Sequence, residues 1–442
     1  MTSDIRYDEA YVWIWLPGAK EPVVAGLLSR DRKKIVFNYG RSYLQRPDRI
    51  AIYHPELPLE PGQLPLVPGL SMPSAIRDAS PDAWGRRVII NRTLGKKAGK
   101  IDGSELDELT YLLESGSDRI GALDFQLSAT DYVPRQRQAA SLAELMESAE
   151  RVEKRLPLTP ELDQALQHGT SLGGARPKVL LDAEGTKFIA KFSASNDLHN
   201  VVKAEYVAMR LAAIAGLAVA PVRLERAMGK DVLLVERFDR IHERGVWHRR
   251  AIVSALTMLA LDEMMARYAS YEDFAEIIRH RFTEPTRTLR ELFGRLVFNI
   301  LCGNTDDHAR NHAALWDGEH LRLSPAYDLC PGPRSGQTAE QAMAFGRSGI
   351  RTSTFHAAIS VAAEYGLSTS DARSVVDDVV SAITDHYAEA ADQARLSEAD
   401  RTAMLGRQFL NPGVWHGLPT TFALPASTAA SPSPDQGSGE GD

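Results

Sequence analysis

The sequence predicts an α+β fold in which a strand-rich part precedes a mostly helical part. Between residues 165 and 240, two strand-like segments meet at the turn Glu184-Gly185. A helical segment from Val202 to Ala215 separates them from two further strand-like segments. From about residue 250 onward, apolar residues recur at helical spacing. This order indicates a bilobal chain whose small lobe comes first.

The first 160 residues indicate an additional small domain. Pro17-Gly18 separates two apolar segments, which predicts a hairpin, and residues 35–39 predict a third strand. A proline-rich connector over residues 57–73 leads into helical patterns. We therefore predict four parts: an α/β domain over residues 1–160, a strand-rich N-lobe over 161–243, a helical C-lobe over 244–424 and a disordered tail over 425–442.

Composition excludes several classes of protein. The chain has 442 residues, 44% of them hydrophobic, which is enough for two or three packed units. Its formal net charge of −7 argues against general nucleic-acid binding. The two cysteines, Cys302 and Cys330, form neither a metal-type pair nor a disulfide framework. Because no signal-peptide pattern or membrane-length apolar run is present, we expect a soluble cytoplasmic protein without membrane contacts.

The most specific chemical pattern is the polar loop that follows the apolar helical segment ending near residue 301. Asp306 and Asn311 have the D-x-x-x-x-N spacing of a kinase catalytic loop, and Asp328 follows downstream. Phosphoryl transfer needs one carboxylate that orients the substrate hydroxyl, here Asp306. It also needs an amide and a second carboxylate that hold Mg²⁺, here Asn311 and Asp328. A polar turn has a similar composition, but the combination favours an ATP-dependent kinase.

Two histidines in this loop allow a second interpretation. His308 and His312 are four residues apart, which on a helix would suit a metal site. Neither an HExxH pattern nor a set of ligating cysteines accompanies them. We therefore expect His308 to brace the loop by hydrogen bonding.

Residues 171–178, with the sequence SLGGARPK, form the candidate phosphate loop. The adjacent Gly173 and Gly174 would let backbone N–H groups approach an anion. The segment has neither the G-x-x-x-x-G-K-[ST] nor the G-x-G-x-x-G pattern, and a glycine pair is often only a turn. Its position just before two strands and Lys191 favours a phosphate loop.

Lys191 lies in an apolar strand-like segment, where a kinase places the lysine that reaches the α- and β-phosphates. A lysine on an alternating strand can equally face solvent. Glu205, in the helical segment that follows, is the candidate partner of Lys191, and a helix-surface glutamate is the plain alternative. At the end of the last N-lobe strand, Phe238 suits contact with adenine and Asp239 could reach ribose. A charged strand end is the alternative there.

Six short motifs occur in one order along the chain, at residues 80–86 (SPDAWGR), 121–123, 171–178, 235–240, 304–311 and 327–328. They resemble the motifs of the HipA-type serine/threonine kinases, the toxin components of bacterial toxin–antitoxin pairs. Ala83 stands where the family usually has glycine. The resemblance extends from about Gly26 to the region of Phe422.

The resemblance implies a phosphatidylinositol-kinase-like bilobal fold with an N-terminal α/β domain packed on the ATP-binding lobe. Asp306 would be the catalytic carboxylate. Ser171 would be an autophosphorylated serine whose phosphate switches activity off by displacing the phosphate loop. Pro177 departs from members with an acidic residue there and should stiffen the loop. The residues implied to contact ATP or its Mg²⁺ are Gly173, Gly174, Ala175, Lys178, Lys191, Glu236, Phe238, Asp239, Asn311, Tyr327 and Asp328.

The resemblance also implies a role and partners. Members of the family phosphorylate protein serines, typically on aminoacyl-tRNA synthetases, and a helix-turn-helix antitoxin of the HipB type neutralises them. Contact with operator DNA would then be mainly indirect, through the antitoxin. Two other functions stay open, namely a small-molecule kinase of the aminoglycoside or choline type and a catalytically silent co-repressor. Retention of Lys191, Asp306, Asn311 and Asp328 argues against the silent form.

Overall fold

The computed structural model of the chain describes residues 7–94, 106–135, 141–154, 156, 158–159, 176–193, 197, 199–334, 336, 338–346 and 349–418. Its N-terminal part holds an antiparallel sheet with the strand order β3-β2-β1-β4. The strands are β1 (Glu9–Ile14), β2 (Val23–Asp31), β3 (Lys34–Tyr39) and β4 (Leu123–Gln126). The predicted hairpin and third strand are therefore confirmed.

Helices surround this first sheet and extend from it towards the next one. They are α1 (Arg41–Leu44), α2 (Ser74–Arg77), α3 (Ala83–Leu94), α4 (Glu108–Glu114) and α5 (Leu142–Glu153). Trp84 and Val88 of α3 share an apolar cluster with Leu145 of α5 and with Val179 and Phe188 of the second sheet. The N-terminal part therefore packs directly on the strand-rich lobe.

The second sheet is antiparallel and has the strand order β5-β6-β8-β7. Its strands are β5 (Lys178–Ala183), β6 (Thr186–Phe192), β7 (Val222–Ala227) and β8 (Lys230–Glu236). Helix α6 (Val201–Ile214) connects β6 to β7 and packs against β7 and β8. Each strand and the helix lie where the sequence pattern predicts them.

Two smaller sheets connect the strand-rich lobe to the helical half. One is the hairpin of β9 (Arg240–Glu243) and β10 (Val246–Arg249). The other has the order β11-β12-β13, formed by β11 (Ala251–Ser254), β12 (Ala313–Trp316) and β13 (Leu321–Leu323). Because β12 begins two residues after Asn311, its pairing with β11 fixes one end of the predicted catalytic loop.

The helical half comprises α7 (Ala255–Met258), α8 (Tyr271–Arg281), α9 (Pro285–Leu301), α10 (Phe355–Ser360), α11 (Thr369–Gln393) and α12 (Glu398–Met404). Single turns of 3₁₀ helix lie at Glu263–Tyr268, Ala362–Tyr365 and Pro412–Trp415. The apolar periodicity of α9 is confirmed, since Leu292, Leu296 and Ile300 are fully buried.

A glycine lies just after α9 and allows the chain to turn into the predicted catalytic loop. Gly303 has a φ of 67°, and a Cβ atom at this position would lie 2.6 Å from the carbonyl oxygen of Gly332. Only glycine accepts both constraints without displacing neighbouring backbone. The chain can therefore turn sharply from α9 into residues 304–312.

A buried cluster of charges, the interdomain clamp, joins the N-terminal part to the end of β8. It consists of Asp118, Gly121, Arg237, Asp239 and Arg240. The Asp239 carboxylate accepts hydrogen bonds from the Gly121 N–H at 2.8 Å, from Arg237 Nη2 at 2.7 Å and from Arg240 Nη1 at 2.9 Å. Both arginines also bind Asp118. The clamp leaves Asp239 only 2% exposed.

Among the described residues, no helix is long and apolar enough to cross a membrane.

Replacing Asp239 with Asn should release the clamp and destabilise the protein by about 3–5 kcal/mol, because two buried arginines lose a charged partner. Unfolding by urea at neutral pH measures this effect. The control is Asp48→Asn, which alters an exposed carboxylate of the N-terminal part and should leave the unfolding midpoint unchanged.

The effect of Asp239→Asn should also depend on pH. Burial alone would raise the pKa of Asp239, but Arg237 and Arg240 outweigh burial and hold the pKa below its ordinary value of about 3.9. The stabilisation is therefore present above that pH and is lost as the pH falls through the lower folded-state pKa. A difference between wild type and variant that grew in acid would contradict this account.

Candidate active site

Lys191, near the end of β6, lies at the centre of the candidate site. Its ammonium nitrogen is 2.5 Å from Oε1 of Glu205 on α6 and 2.5 Å from Oδ1 of Asp328. The exposed fractions of the three side chains are 12% for Lys191, 3% for Glu205 and 36% for Asp328. Lys191 therefore points into the protein, and Glu205 is its partner, as the sequence predicts. We call these three residues the lysine triad.

The two carboxyl groups of the triad differ in their electrostatic surroundings. Lys191 lowers the pKa of Asp328 well below its ordinary range, against the effect of burial. Burial raises the pKa of Glu205, and the neighbouring Lys191 only partly offsets that rise. For Lys191 itself, burial would lower the pKa, but Asp328 and Glu205 outweigh it and raise the pKa. Lys191 and Asp328 are therefore a stable pair of opposite charges.

Asp328 owes its position to contacts made by the two residues before it. Ala326 pairs with the chain before β7, where its N–H donates to the carbonyl of Ala218 at 2.7 Å. The Tyr327 hydroxyl donates to the carbonyl of Arg310 at 2.7 Å. Asp328 itself has a φ of 61°, in the left-handed region, which costs a residue other than glycine about 1–3 kcal/mol. The surrounding contacts hold this strained conformation beside the predicted catalytic loop.

The loop from Asn304 to His312 is braced from inside by Asp307. This buried carboxylate accepts hydrogen bonds from the Tyr271 hydroxyl and, at 3.0 Å, from Nε2 of His312. Burial would raise the pKa of Asp307, but His312 and the bond from Tyr271 outweigh burial and lower it. Asp306, the neighbouring residue, is exposed. Asp307 is therefore buried and stabilises the loop, whereas Asp306 is exposed to solvent.

This arrangement bears on the expectation and on the alternative for the loop histidines. His308 does hydrogen-bond within the loop, where its backbone carbonyl accepts from the Asn311 N–H at 2.8 Å, but the side chain that contacts Asp307 is that of His312, which is 2% exposed. The alternative of a metal site on His308 and His312 fails, because the loop does not form a helix and His312 is committed to Asp307.

The end of β8 meets the Asp328 segment through two aromatic rings. The ring centroids of Phe238 and Tyr327 are 5.7 Å apart. Glu236 is the last residue of β8 and lies opposite Phe188 on β6. Of the predicted adenine-contacting residues, Phe238 is therefore close to Tyr327, and Glu236 lies two residues before it at the end of β8. The prediction for Asp239 is wrong, because the interdomain clamp occupies its carboxylate and it cannot reach a ribose.

Lys178, the last residue of the predicted phosphate loop, lies at the start of β5 directly opposite Lys191 on β6. Residues that pair directly across two antiparallel strands have side chains on the same face. Lys178 is 5% exposed, and burial lowers its pKa. The predicted site residues Ser171, Gly173, Gly174 and Ala175 of this loop lie outside the described residues.

The residues brought together suit a magnesium ion and a polyphosphate. Asn311 and Asp328 supply amide and carboxylate oxygens, which are the ligand types that Mg²⁺ prefers. The contact between Tyr327 and Arg310 brings their two segments side by side. Lys178 and Lys191 supply two neighbouring cations for phosphate oxygens. The donor set therefore fits the cofactors that the sequence implies.

Sequence reasoning did not single out two residues of this region. The sequence does not distinguish the bracing role of Asp307 from that of its neighbour Asp306. The burial of Asp307 in the structure reveals that role. Cys330 lies with its sulfur 3.6 Å from Oε2 of Glu205, so it packs against the triad. The sequence signal for this contact is that Cys330 follows Asp328 by two residues.

Comparisons with known proteins identify the family of the chain. The family described as the HipA-like C-terminal domain matches residues 170–387, and the HipA N-terminal domain matches residues 14–126. Y4mE of Sinorhizobium fredii, a protein provisionally named as a kinase, is 29% identical over 347 residues, or 72% of this chain and 76% of that protein. The serine/threonine-protein kinase toxin HipA of Shewanella oneidensis is 26% identical over 186 residues, or 36% of this chain and 42% of that protein.

A solved structure has the same fold. HipA from Shewanella oneidensis MR-1, in a complex with HipB and its operator DNA, aligns with a TM-score of 0.63 at 20% identity. The alignment covers 89% of this chain and 96% of that chain. The names of these relatives support the kinase class. The chain belongs to the HipA family, and the resemblance seen in its sequence is confirmed.

The neighbouring aspartates of the loop provide a matched pair of variants. Asp307→Asn should destabilise the protein by about 1–3 kcal/mol, because a buried carboxylate is lost from Tyr271 and His312. Asp306→Asn, at an exposed position, should leave the free energy of unfolding unchanged. Chemical unfolding of both variants measures the difference, and equal destabilisation would contradict the proposed division of roles.

Proposed function

We propose that the protein is an ATP- and Mg²⁺-dependent serine/threonine protein kinase. The observation that carries this proposal is the lysine triad, in which one buried ammonium group contacts both Glu205 and Asp328 at 2.5 Å. A strand lysine paired with a helix glutamate and adjacent to a metal-binding carboxylate is the arrangement that phosphoryl transfer requires. The kinase names of its relatives support the same class.

Each residue has a role that follows from its position. Phe238 and Glu236, at the end of β8, would contact the adenine, and Lys191 and Lys178 would bind phosphate oxygens. Asn311 and Asp328 would hold Mg²⁺, which neutralises charge on the transferring phosphate. Asp306, exposed at the mouth of the loop, would accept a hydrogen bond from the substrate hydroxyl.

Phosphoryl transfer from ATP to a serine hydroxyl needs no further reactant. The hydroxyl oxygen of the protein serine forms a bond with the γ-phosphorus, and the bond from that phosphorus to the β–γ bridging oxygen breaks. The hydroxyl proton passes towards Asp306, and ADP leaves. Lys191 and Lys178 stay in place as cations, so they stabilise the negative charge on the phosphates as it redistributes.

We further propose that the kinase acts as a toxin in the cytoplasm, with a helix-turn-helix antitoxin as its partner. One relative is named a kinase toxin, and the structural neighbour forms a complex with HipB and operator DNA. Any contact of this chain with DNA would be mainly through the antitoxin, since its net charge is −7. The substrate would be a protein serine, on an aminoacyl-tRNA synthetase, together with Ser171 of the chain itself.

Incubation of the purified protein with Mg²⁺ and labelled ATP tests the proposal. Asp306→Asn should reduce phosphoryl transfer by at least about a hundredfold, because the hydroxyl loses its orienting carboxylate. Asp385→Asn, which changes an exposed carboxylate of α11, is the matched control and should transfer normally. Mass spectrometry then locates the modified residue, which we expect to be Ser171.

An unmodified wild-type chain that incorporates no label and binds no ATP would contradict the kinase assignment and favour a silent co-repressor. A chain already phosphorylated on Ser171 after purification would show the kinase in its switched-off form. Turnover of a soluble alcohol without any protein phosphorylation would replace the protein kinase with a small-molecule kinase.

A further inference from the structure

The described part of the chain forms a cavity of about 720 Å³ that is separate from the candidate active site, since no residue of the lysine triad lines it. Its walls come from the N-terminal part, the β9–β10 hairpin, the start of α9 and the β12–β13 pair. These walls are represented by Trp15, Arg249, Thr288 and Trp316. A cavity of this size can accommodate a small organic molecule.

Specific contacts hold the walls of the cavity together. The guanidinium carbon of Arg249 lies 3.5 Å from the centroid of the Trp15 ring, which joins the hairpin to the N-terminal part. The indole N–H of Trp316 donates a hydrogen bond to the carbonyl of Ala51 at 2.9 Å, which joins β12 to the same part. The cavity is therefore formed before any ligand binds.

Several charged residues of the lining already have partners. Two ion pairs lie on the α9 side, Arg295 with Glu291 at 2.9 Å and Arg287 with Glu284 at 3.5 Å. The carboxylate of Asp317 accepts hydrogen bonds from backbone N–H groups of its own loop. These groups do not need a ligand.

Three arginines of the lining are different. Arg249, Arg250 and Arg322 have no carboxylate oxygen within 4.0 Å in the described ranges of the chain, and Arg250 and Arg322 are exposed. Outside the two ion pairs, the lining contains the carboxylates of Glu243 and Asp317 only. The cavity therefore has an excess of positive charge.

Arg249 is the arginine that most needs a partner. Its Nη1 donates to the carbonyl of Ser117 at 3.0 Å, whereas Nε and Nη2 make no hydrogen bond to a described residue and are not buried. Burial lowers the pKa of Arg249 to about 10, so the side chain stays charged at neutral pH. The carboxylate that most favours this charge, Asp118, binds the two arginines of the interdomain clamp. An anion in the cavity would offset the cost of removing Arg249 from water.

We propose that this cavity is a binding site for a small organic anion, whose phosphate or carboxylate group is held by Arg249, Arg250 and Arg322. Arginine suits both groups, because its N–H donors can bind two oxygens at once. Ile50 and Leu315 line the same cavity, so the ligand would also carry an apolar portion. The site is independent of the proposed kinase function.

Titration calorimetry of the full-length protein without Mg²⁺ tests the site. Glycerol 3-phosphate serves as the phosphate probe and citrate as the carboxylate probe, and at least one of them should bind. Arg322→Gln should weaken that binding by about tenfold, because a charge-assisted hydrogen bond is lost. The Arg322 side chain is exposed and has no ion pair in the described structure, so the unfolding midpoint should stay at the wild-type value.

The matched control is Arg290→Gln, which changes an exposed arginine of α9 that does not line the cavity and should bind the probe as wild type does. Binding of glycerol 3-phosphate alone would identify a phosphate site, and binding of citrate alone a carboxylate site. Wild-type protein that binds neither probe, or equal binding by wild type and Arg322→Gln, would overturn the proposal. An equal loss in Arg290→Gln would overturn it as well.

Phosphoryl transfer separates this proposal from the kinase function. Arg322→Gln should transfer phosphate from labelled ATP at the wild-type rate, because Arg322 lies outside the lysine triad and the predicted catalytic loop. A loss of transfer in this variant that parallels the loss of probe binding would place the probe in the nucleotide site and overturn the proposal of a separate site.

Discussion

One buried ammonium group, that of Lys191, links the strand-rich part of this protein to the helical half at the candidate site. A charge removed from water is costly unless it has partners of opposite charge, and Lys191 has two, at 2.5 Å each. Glu205 comes from the helix that packs on the second sheet, and Asp328 comes from the segment that follows the predicted catalytic loop. The lysine therefore brings together the parts of the site that we propose to hold phosphate and metal.

The N-terminal part of the chain contacts both the end of β8 and strand β5. The interdomain clamp ties it to the end of β8, where the chain passes towards the helical half. Helix α3 ties it to β5 through Trp84, whose indole N–H bonds the backbone carbonyl of Lys178. The strand that carries Lys178 is therefore held against the N-terminal part of the chain.

Much of this could be predicted from the sequence, because the signals are local. The strands β5 to β8 and helix α6 follow from periodicity and order along the chain. The pairing of Lys191 with Glu205 follows from the kinase pattern of a strand lysine and a helix glutamate. The burial of Asp239 could not be predicted, because its carboxylate accepts a hydrogen bond from the N–H of Gly121, which lies 118 residues away along the chain. The choice between His308 and His312 likewise depends on Tyr271, which a local pattern does not reveal.

The proposed kinase function requires that nucleotide binding replaces the contact between Lys191 and Asp328, because Asp328 would then hold Mg²⁺. A crystal structure with Mg²⁺ and a non-hydrolysable ATP analogue tests it most directly. We predict that Lys191 keeps Glu205 and contacts phosphate oxygens, while Asp328 and Asn311 bind the metal ion. A nucleotide bound elsewhere, with Lys191 still bridging Glu205 and Asp328, would contradict the account.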